Sequence, residues 1–224
     1  MKKNNLKHLI AILAIFGFSS YGAYAQDTNE RSSKFMYEVG FGKGYTLGEQ
    51  NLSPWGVHYR GNYDGGFYLQ LQGNYIKKNC FFYGLKVDMF ITAGNYEIEN
   101  NQRVAENIFL AYFAPQMGFI RSISPRVSIV TNAGVGYSLY ESNGLLENTE
   151  YRINSHLFGV NTDFSVDYLL AKKLTIGCKT SLFAAYSEKL HREIGGVKDK
   201  ITTNKWNAIA PCRFDFSVFL RRYF

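Results

Sequence analysis

Beyond residue 20 this chain has almost no leucine-rich helical periodicity, and after residues 9–18 it has no long apolar run. A membrane-spanning helix needs about 20 consecutive apolar residues, so a helical membrane protein is excluded. Spanning strands are not, because each shows lipid only every second residue. Cysteine is scarce: Cys80, Cys178 and Cys212 are an odd set without metal-ligand spacing. Neither a disulfide framework nor a zinc site fits them, and they read as small apolar residues. Acidic residues are missing from 1–25. Removing that leader takes three of the 25 Lys and Arg, leaving 22 bases against 18 acids. So slight an excess, with no recognition helix or basic arm, gives no ground for a nucleic-acid partner.

What the chain does have is aromatic residues, 17% of the total, and glycine, 21 copies. Both suit pleated strands and tight turns. The leader has three parts: a basic 1–8, an apolar 9–18 and a small, polar 19–25 ending Ala23-Tyr24-Ala25. This is the plan of a cleavable secretory signal, with Ala23 and Ala25 as the signal-peptidase residues. Residues 26–33 then form a short periplasmic segment, and 34–224 the folded domain.

Period-two alternation marks eight strands, in 34–45, 66–76, 80–91, 106–120, 127–140, 156–170, 174–186 and 206–224. In the last, Trp206, Ala208, Ala210, Cys212, Phe214, Phe216, Val218 and Leu220 share one face, opposite Arg213, Asp215, Ser217, Phe219 and Arg221. Segment 106–120 is the least regular. Phe109, Phe113, Met117 and Phe119 suit the apolar face, yet Ile108, Leu110 and Tyr112 share the parity of Gln116. A bulge at Ala114-Pro115 would switch the faces. Connections alternate in length: 77–79, 122–126 and 171–173 are short, while 47–65, 95–105, 142–155 and 188–205 are long. Short turns at one end and long loops at the other is the plan of a transmembrane up-and-down antiparallel β-barrel of eight strands.

A soluble sandwich would also alternate, but its wet face would carry Lys and Glu. Here the polar face is rich in glycine and small residues, as a crowded lumen requires. Aromatics gather at strand ends: Phe35, Tyr37, Tyr75, Phe81, Tyr83 and Tyr168 near the short turns; Tyr45, Phe67, Tyr137, Tyr186 and Trp206 near the long loops. Two interfacial girdles would place them so. The inward charges are then Glu38, Asp88, Asp163, Asp167 and Asp215 against Lys86, Lys179, Arg213 and Arg221, nearly balanced and fit to plug the lumen of an eight-stranded barrel. Lys77, Lys78, Arg121, Arg126, Lys172, Lys173, Arg221 and Arg222 crowd the short turns and strand ends, and the turns themselves hold no acid.

With its leader, eight amphipathic strands and Phe224 in the last of them, the chain resembles the small outer-membrane β-barrel family that includes the OmpA transmembrane domain and OmpX. The resemblance lies in architecture, over 34–224, not in a signature motif. It implies the cell outer membrane, contact with outer-membrane lipid and lipopolysaccharide, a monomer, and insertion by the barrel-assembly machinery. That machinery would read Phe216, Val218, Leu220 and Phe224, with Arg222 departing from the usual apolar residue. A structural or surface-interaction role is the expectation, and a narrow porin-like channel the alternative. An enzyme acting on lipid is disfavoured by the residues themselves. The histidines His58, His156 and His191 read as loop or strand-end residues, and Ser155 and His156, being adjacent, point to opposite faces. Asp163 and Asp167 lie about 13 Å apart at strand rise, too far for an acid/base pair. Gly40-Phe41-Gly42-Lys43-Gly44 lacks the helix that a phosphate loop requires. No cofactor motif is present, and nothing in the sequence names a surface ligand.

Overall fold

The computed structural model describes residues 34–47, 65–77, 80–98, 102–146, 149–202 and 208–224. The leader and most of the first long loop, with Ala23, Ala25 and His58, lie outside them, as do Lys78 and Trp206. The strands are β1 (Phe35–Thr46), β2 (Gly66–Ile76), β3 (Phe81–Ile98), β4 (Gln102–Ser122), β5 (Val127–Leu146), β6 (Thr149–Ala171), β7 (Leu174–Tyr186), β8 (Lys189–Ile194), β9 (Val197–Thr202) and β10 (Cys212–Tyr223). Each of β1 to β7 pairs antiparallel with its chain neighbour. Strand β10 closes the ring by pairing with both β7 and β1. The result is a closed eight-stranded antiparallel barrel, in which every wall strand has two partners and no wall edge is left bare.

Four expectations are corrected. First, 95–105 and 142–155 are not long loops: β3 runs on to Ile98, β4 starts at Gln102, β5 reaches Leu146 and β6 starts at Thr149. Second, 188–205 holds the hairpin β8–β9, which adds to β6 through pairs such as Ser155↔Leu190 and Tyr151↔Ile194. Gly195 and Gly196, with φ of 55° and 85°, make its tight turn. Third, β4 has no face-switching bulge. Its ladder with β5 skips Ala114 and Pro115, then resumes in the same register from Phe113↔Tyr137 to Gln116↔Gly134. Pro115 lacks a donor, and its ring costs ladder bonds without adding a residue. The last strand also starts later than expected, at Cys212, although Ile209 is bridged to Ser187.

Strands β1, β2, β7 and β10 have 12, 11, 13 and 12 residues. That length suits a tilted strand crossing about 30 Å of hydrocarbon. Strands β5 and β6 have 20 and 23 residues. With β3, β4 and the hairpin they continue past the others as a projecting sheet.

Polarity inverts where that sheet leaves the barrel. Along the common height the outer wall is apolar: Ile91, Phe113, Val135, Tyr137, Phe158 and Phe164 are exposed there. The same outward parity further along is mainly polar, with Asn95 and Glu97 on β3, Arg103 and Asn107 on β4, Glu141 and Asn143 on β5, and Arg152, Asn154 and His156 on β6, although Leu145 of β5 is also exposed on it. The inner face does the opposite. Midway along the barrel it is largely polar, whereas the projecting part and its junction with the barrel bury Val104, Ile108, Leu110, Tyr140, Tyr151, Ile153 and Leu157 with Leu190 and Ile209.

Candidate functional site: the braced lumen and the projecting sheet

The lumen is stacked in three layers. At the short-turn end, Met36, Phe82, Ile120, Val130 and Tyr223 form an apolar cluster. The middle layer holds the nine charges read from strand parity: Glu38, Lys86, Asp88, Asp163, Asp167, Lys179, Arg213, Asp215 and Arg221, each 4% exposed or less. The apolar interior of the projecting sheet lies above them.

The middle layer ties opposite walls together. Lys86 on β3 donates to Asp163 on β6 at 2.8 Å. Arg213 on β10 donates to Asp88 on β3 at 2.6 Å and to Asp215 at 3.0 Å. Glu38 on β1 accepts from Lys179 on β7 and from Arg221 on β10, and Arg221 also donates to Asp167 on β6. Amides fill the gaps: Gln72 donates to Asp163 at 3.2 Å, Gln116 to Asn74 at 2.7 Å and Asn132 to Gln116 at 2.9 Å. A buried charge is tolerated when paired and hydrogen-bonded, and these pairs span the lumen. Arg221, assigned by sequence to both lumen and rim, belongs wholly to the lumen.

Parity alone did not reveal the setting of Arg213. Its guanidinium lies 4.4 Å from the Phe183 ring centre, 5.0 Å from that of Phe90 and 5.3 Å from that of Tyr68. The ring faces and the two carboxylates together hold this cation where the charged layer meets the apolar one. Glu106 was also missed. It is buried in the projecting sheet, where Ser142 donates to it at 2.6 Å and Tyr151 at 2.7 Å. Apolar residues on both faces of β4 concealed its direction in the sequence.

The other candidates are spread apart. Phe216, Val218, Leu220 and Phe224 are exposed on the outer wall, with Arg222 over the Phe224 ring at 5.0 Å. His156 faces outward, stacked on Tyr137 and within hydrogen-bond contact of its hydroxyl. Ser155 faces inward and donates to the Lys189 carbonyl at 2.7 Å, so the two residues do not converge. Asp163 and Asp167 serve different cations. Gly40, Gly42 and Gly44 are packed within β1 against β2 and β10. Among the described residues no three His, Cys, Asp or Glu side chains gather as a metal site requires.

No family model and no curated protein matches this chain in sequence. Its fold is similar to that of a major outer membrane protein from Thermus thermophilus, with a TM-score of 0.55 and 11% identity over 85% of this chain and 99% of that one. It is similar also to the outer membrane protein OprG from Pseudomonas aeruginosa, with a TM-score of 0.56 and 12% identity over 86% of this chain and 97% of that one. At these identities the shared property is the fold, a closed antiparallel barrel of the outer-membrane kind.

Proposed function

We propose that this protein spans the cell outer membrane as a plugged barrel, without catalysis, and holds a stiff β-sheet outside the cell in a structural or surface-interaction role. Short turns face the periplasm and the projecting sheet faces outward. The observation that carries this reading is the inversion of polarity along β3–β6. In the barrel the outer face is apolar and the charges lie inside; in the projecting sheet most of the large apolar residues lie inside and the outer face is mainly polar. A lipid layer around the barrel and water around the sheet account for both halves at once. The cross-lumen ion pairs argue for a plug.

Conductance in planar bilayers tests the plug, after outer-membrane fractionation and heat-modifiable gel mobility establish a folded membrane barrel. The expected record is free of steady nanosiemens steps, and such steps would turn the reading to a porin-like channel. A change in lipid A mass caused by the protein would turn it to an enzyme.

A further inference from the structure

The short-turn end of the barrel carries exposed Lys34, Lys77, Arg121, Arg126, Lys172, Lys173 and Arg222, and no acidic side chain is exposed there among the described residues. Residues 26–33 and Lys78 lie outside those residues, and their two acids, Asp27 and Glu30, are matched by Arg31 and Lys78. The opposite end is mixed: Lys43, Arg103, Arg152, Arg192, Lys189, Lys198 and Lys200 stand among Glu97, Glu141, Glu150, Glu188, Glu193 and Asp199. There the salt bridges Arg103–Glu97, Arg152–Glu141, Arg192–Asp199 and Lys198–Glu193 consume much of the charge. One end is therefore basic and the other nearly neutral.

Three of the rim cations are held against the outer wall. Lys77 lies over the Tyr83 ring at 5.5 Å and Arg222 over the Phe224 ring at 5.0 Å. Arg126 donates to the Tyr168 hydroxyl at 3.3 Å. Those aromatics belong to the outward-facing girdle, alongside Phe35, Tyr37 and Phe119. Girdle aromatics sit at headgroup depth, so cations resting on them lie in the phosphate plane rather than out in the periplasm. Arg121 shares the outward face of Met117 and Phe119, and Lys172 and Lys173 form the β6–β7 turn.

We infer that this rim selects anionic phospholipid headgroups, the singly charged phosphodiesters of the inner leaflet, and gathers them around the periplasmic end of the barrel. The inference rests on the outer-membrane reading and adds a lipid class and a leaflet to it. A polymer such as peptidoglycan would lie below the girdle, beyond the reach of cations folded up against the wall. Lipid phosphates lie beside them, and exposed cations gain by nearing an anionic surface within a Debye length.

The test uses the full mature chain in phosphatidylcholine vesicles containing trace spin-labelled phosphatidylglycerol or phosphatidylcholine. Electron paramagnetic resonance then reads the lipid held at the protein surface. Phosphatidylglycerol should be preferred about threefold or more, and the preference should fall toward one in high salt. It should also fall by about half or more in the variant Arg121→Gln, Arg126→Gln, Lys172→Gln, Lys173→Gln, which keeps Lys34, Lys77 and Arg222. A Lys198→Gln, Lys200→Gln variant, altered at the other end, should keep it. If the fourfold variant does not show heat-modifiable folding, Lys172→Gln with Lys173→Gln should lower the preference partway. No preference in wild type, an undiminished one in the rim variants, or co-sedimentation with peptidoglycan without lipid preference overturns the inference. Absence of any immobilised lipid signal instead defeats the membrane reading beneath it.

Discussion

At the residue scale, Arg213 and Gly42 are the positions where a single change should tell most. Removing the Arg213 guanidinium leaves Asp88 and Asp215 buried without their shared partner. Arg213→Ala should therefore cost about 3–5 kcal/mol, read by urea titration in micelles. Combining Arg213→Met with Asp88→Asn and Asp215→Asn should recover most of that loss, because the carboxylates that Arg213 pairs disappear with it and Lys86, 3.7 Å from Asp88, keeps Asp163. A full-sized loss in the triple variant would show that stacking on Phe90 and Phe183, not charge pairing, carries the site. Gly42 lies on β1 opposite Ser217 of β10, at the seam that closes the barrel. A Cβ there would fall 1.9 Å from the Phe216 carbonyl oxygen and 2.6 Å from Ser217 Cα, both backbone atoms that cannot swing aside. Gly42→Val should abolish the heat-modifiable folded band on gels. The inward direction of Arg213 and Asp215 was readable from parity because they alternate with Cys212, Phe214 and Phe216. The aromatic cage was not, since Tyr68, Phe90 and Phe183 come from three other strands and only the register brings them together.

At the scale of elements, strand placement was legible wherever the outer face stayed apolar. It failed in β3–β6 for a specific reason. Sequence reading follows a greasy face, and in these strands that face changes parity at the end of the barrel wall. In β4, Phe113, Met117 and Phe119 face outward while Ile108, Leu110 and Tyr112 face inward, yet the backbone alternates without interruption. Apolar residues on both faces over 108–113, not a bulge, produce the pattern. Ends of the apolar outer face at Ile91, Leu139 and Phe158 were read as strand ends for the same reason. The hairpin β8–β9 was hidden by its charges, Lys189, Arg192, Glu193, Lys198, Asp199 and Lys200, which resemble a solvated loop until Leu190 is seen buried against β6. The proposed orientation makes this hairpin surface-accessible. An epitope tag between Gly195 and Gly196 should be labelled by antibody on intact cells, whereas one between Lys172 and Lys173 should require permeabilised cells. The reverse labelling would invert the protein in its membrane.

Across the whole molecule, the proposed setting has one chain satisfy two solvents. On that reading its lower half, which buries charge in a lumen, gives its apolar side chains to lipid, and its upper half folds as water-soluble sheets do. Strand β5 samples both on a single outward face, with Val135 in the barrel wall and Asn143 in the projecting sheet. The most direct test places a nitroxide at each position in turn, after replacing Cys80, Cys178 and Cys212 with Ala, in lipid vesicles. Collision with oxygen, which concentrates in acyl chains, and with a water-soluble nickel chelate then reports the surroundings. The label at Val135 should meet oxygen and escape nickel, and the label at Asn143 should do the opposite. Ready access of nickel to both would contradict the account.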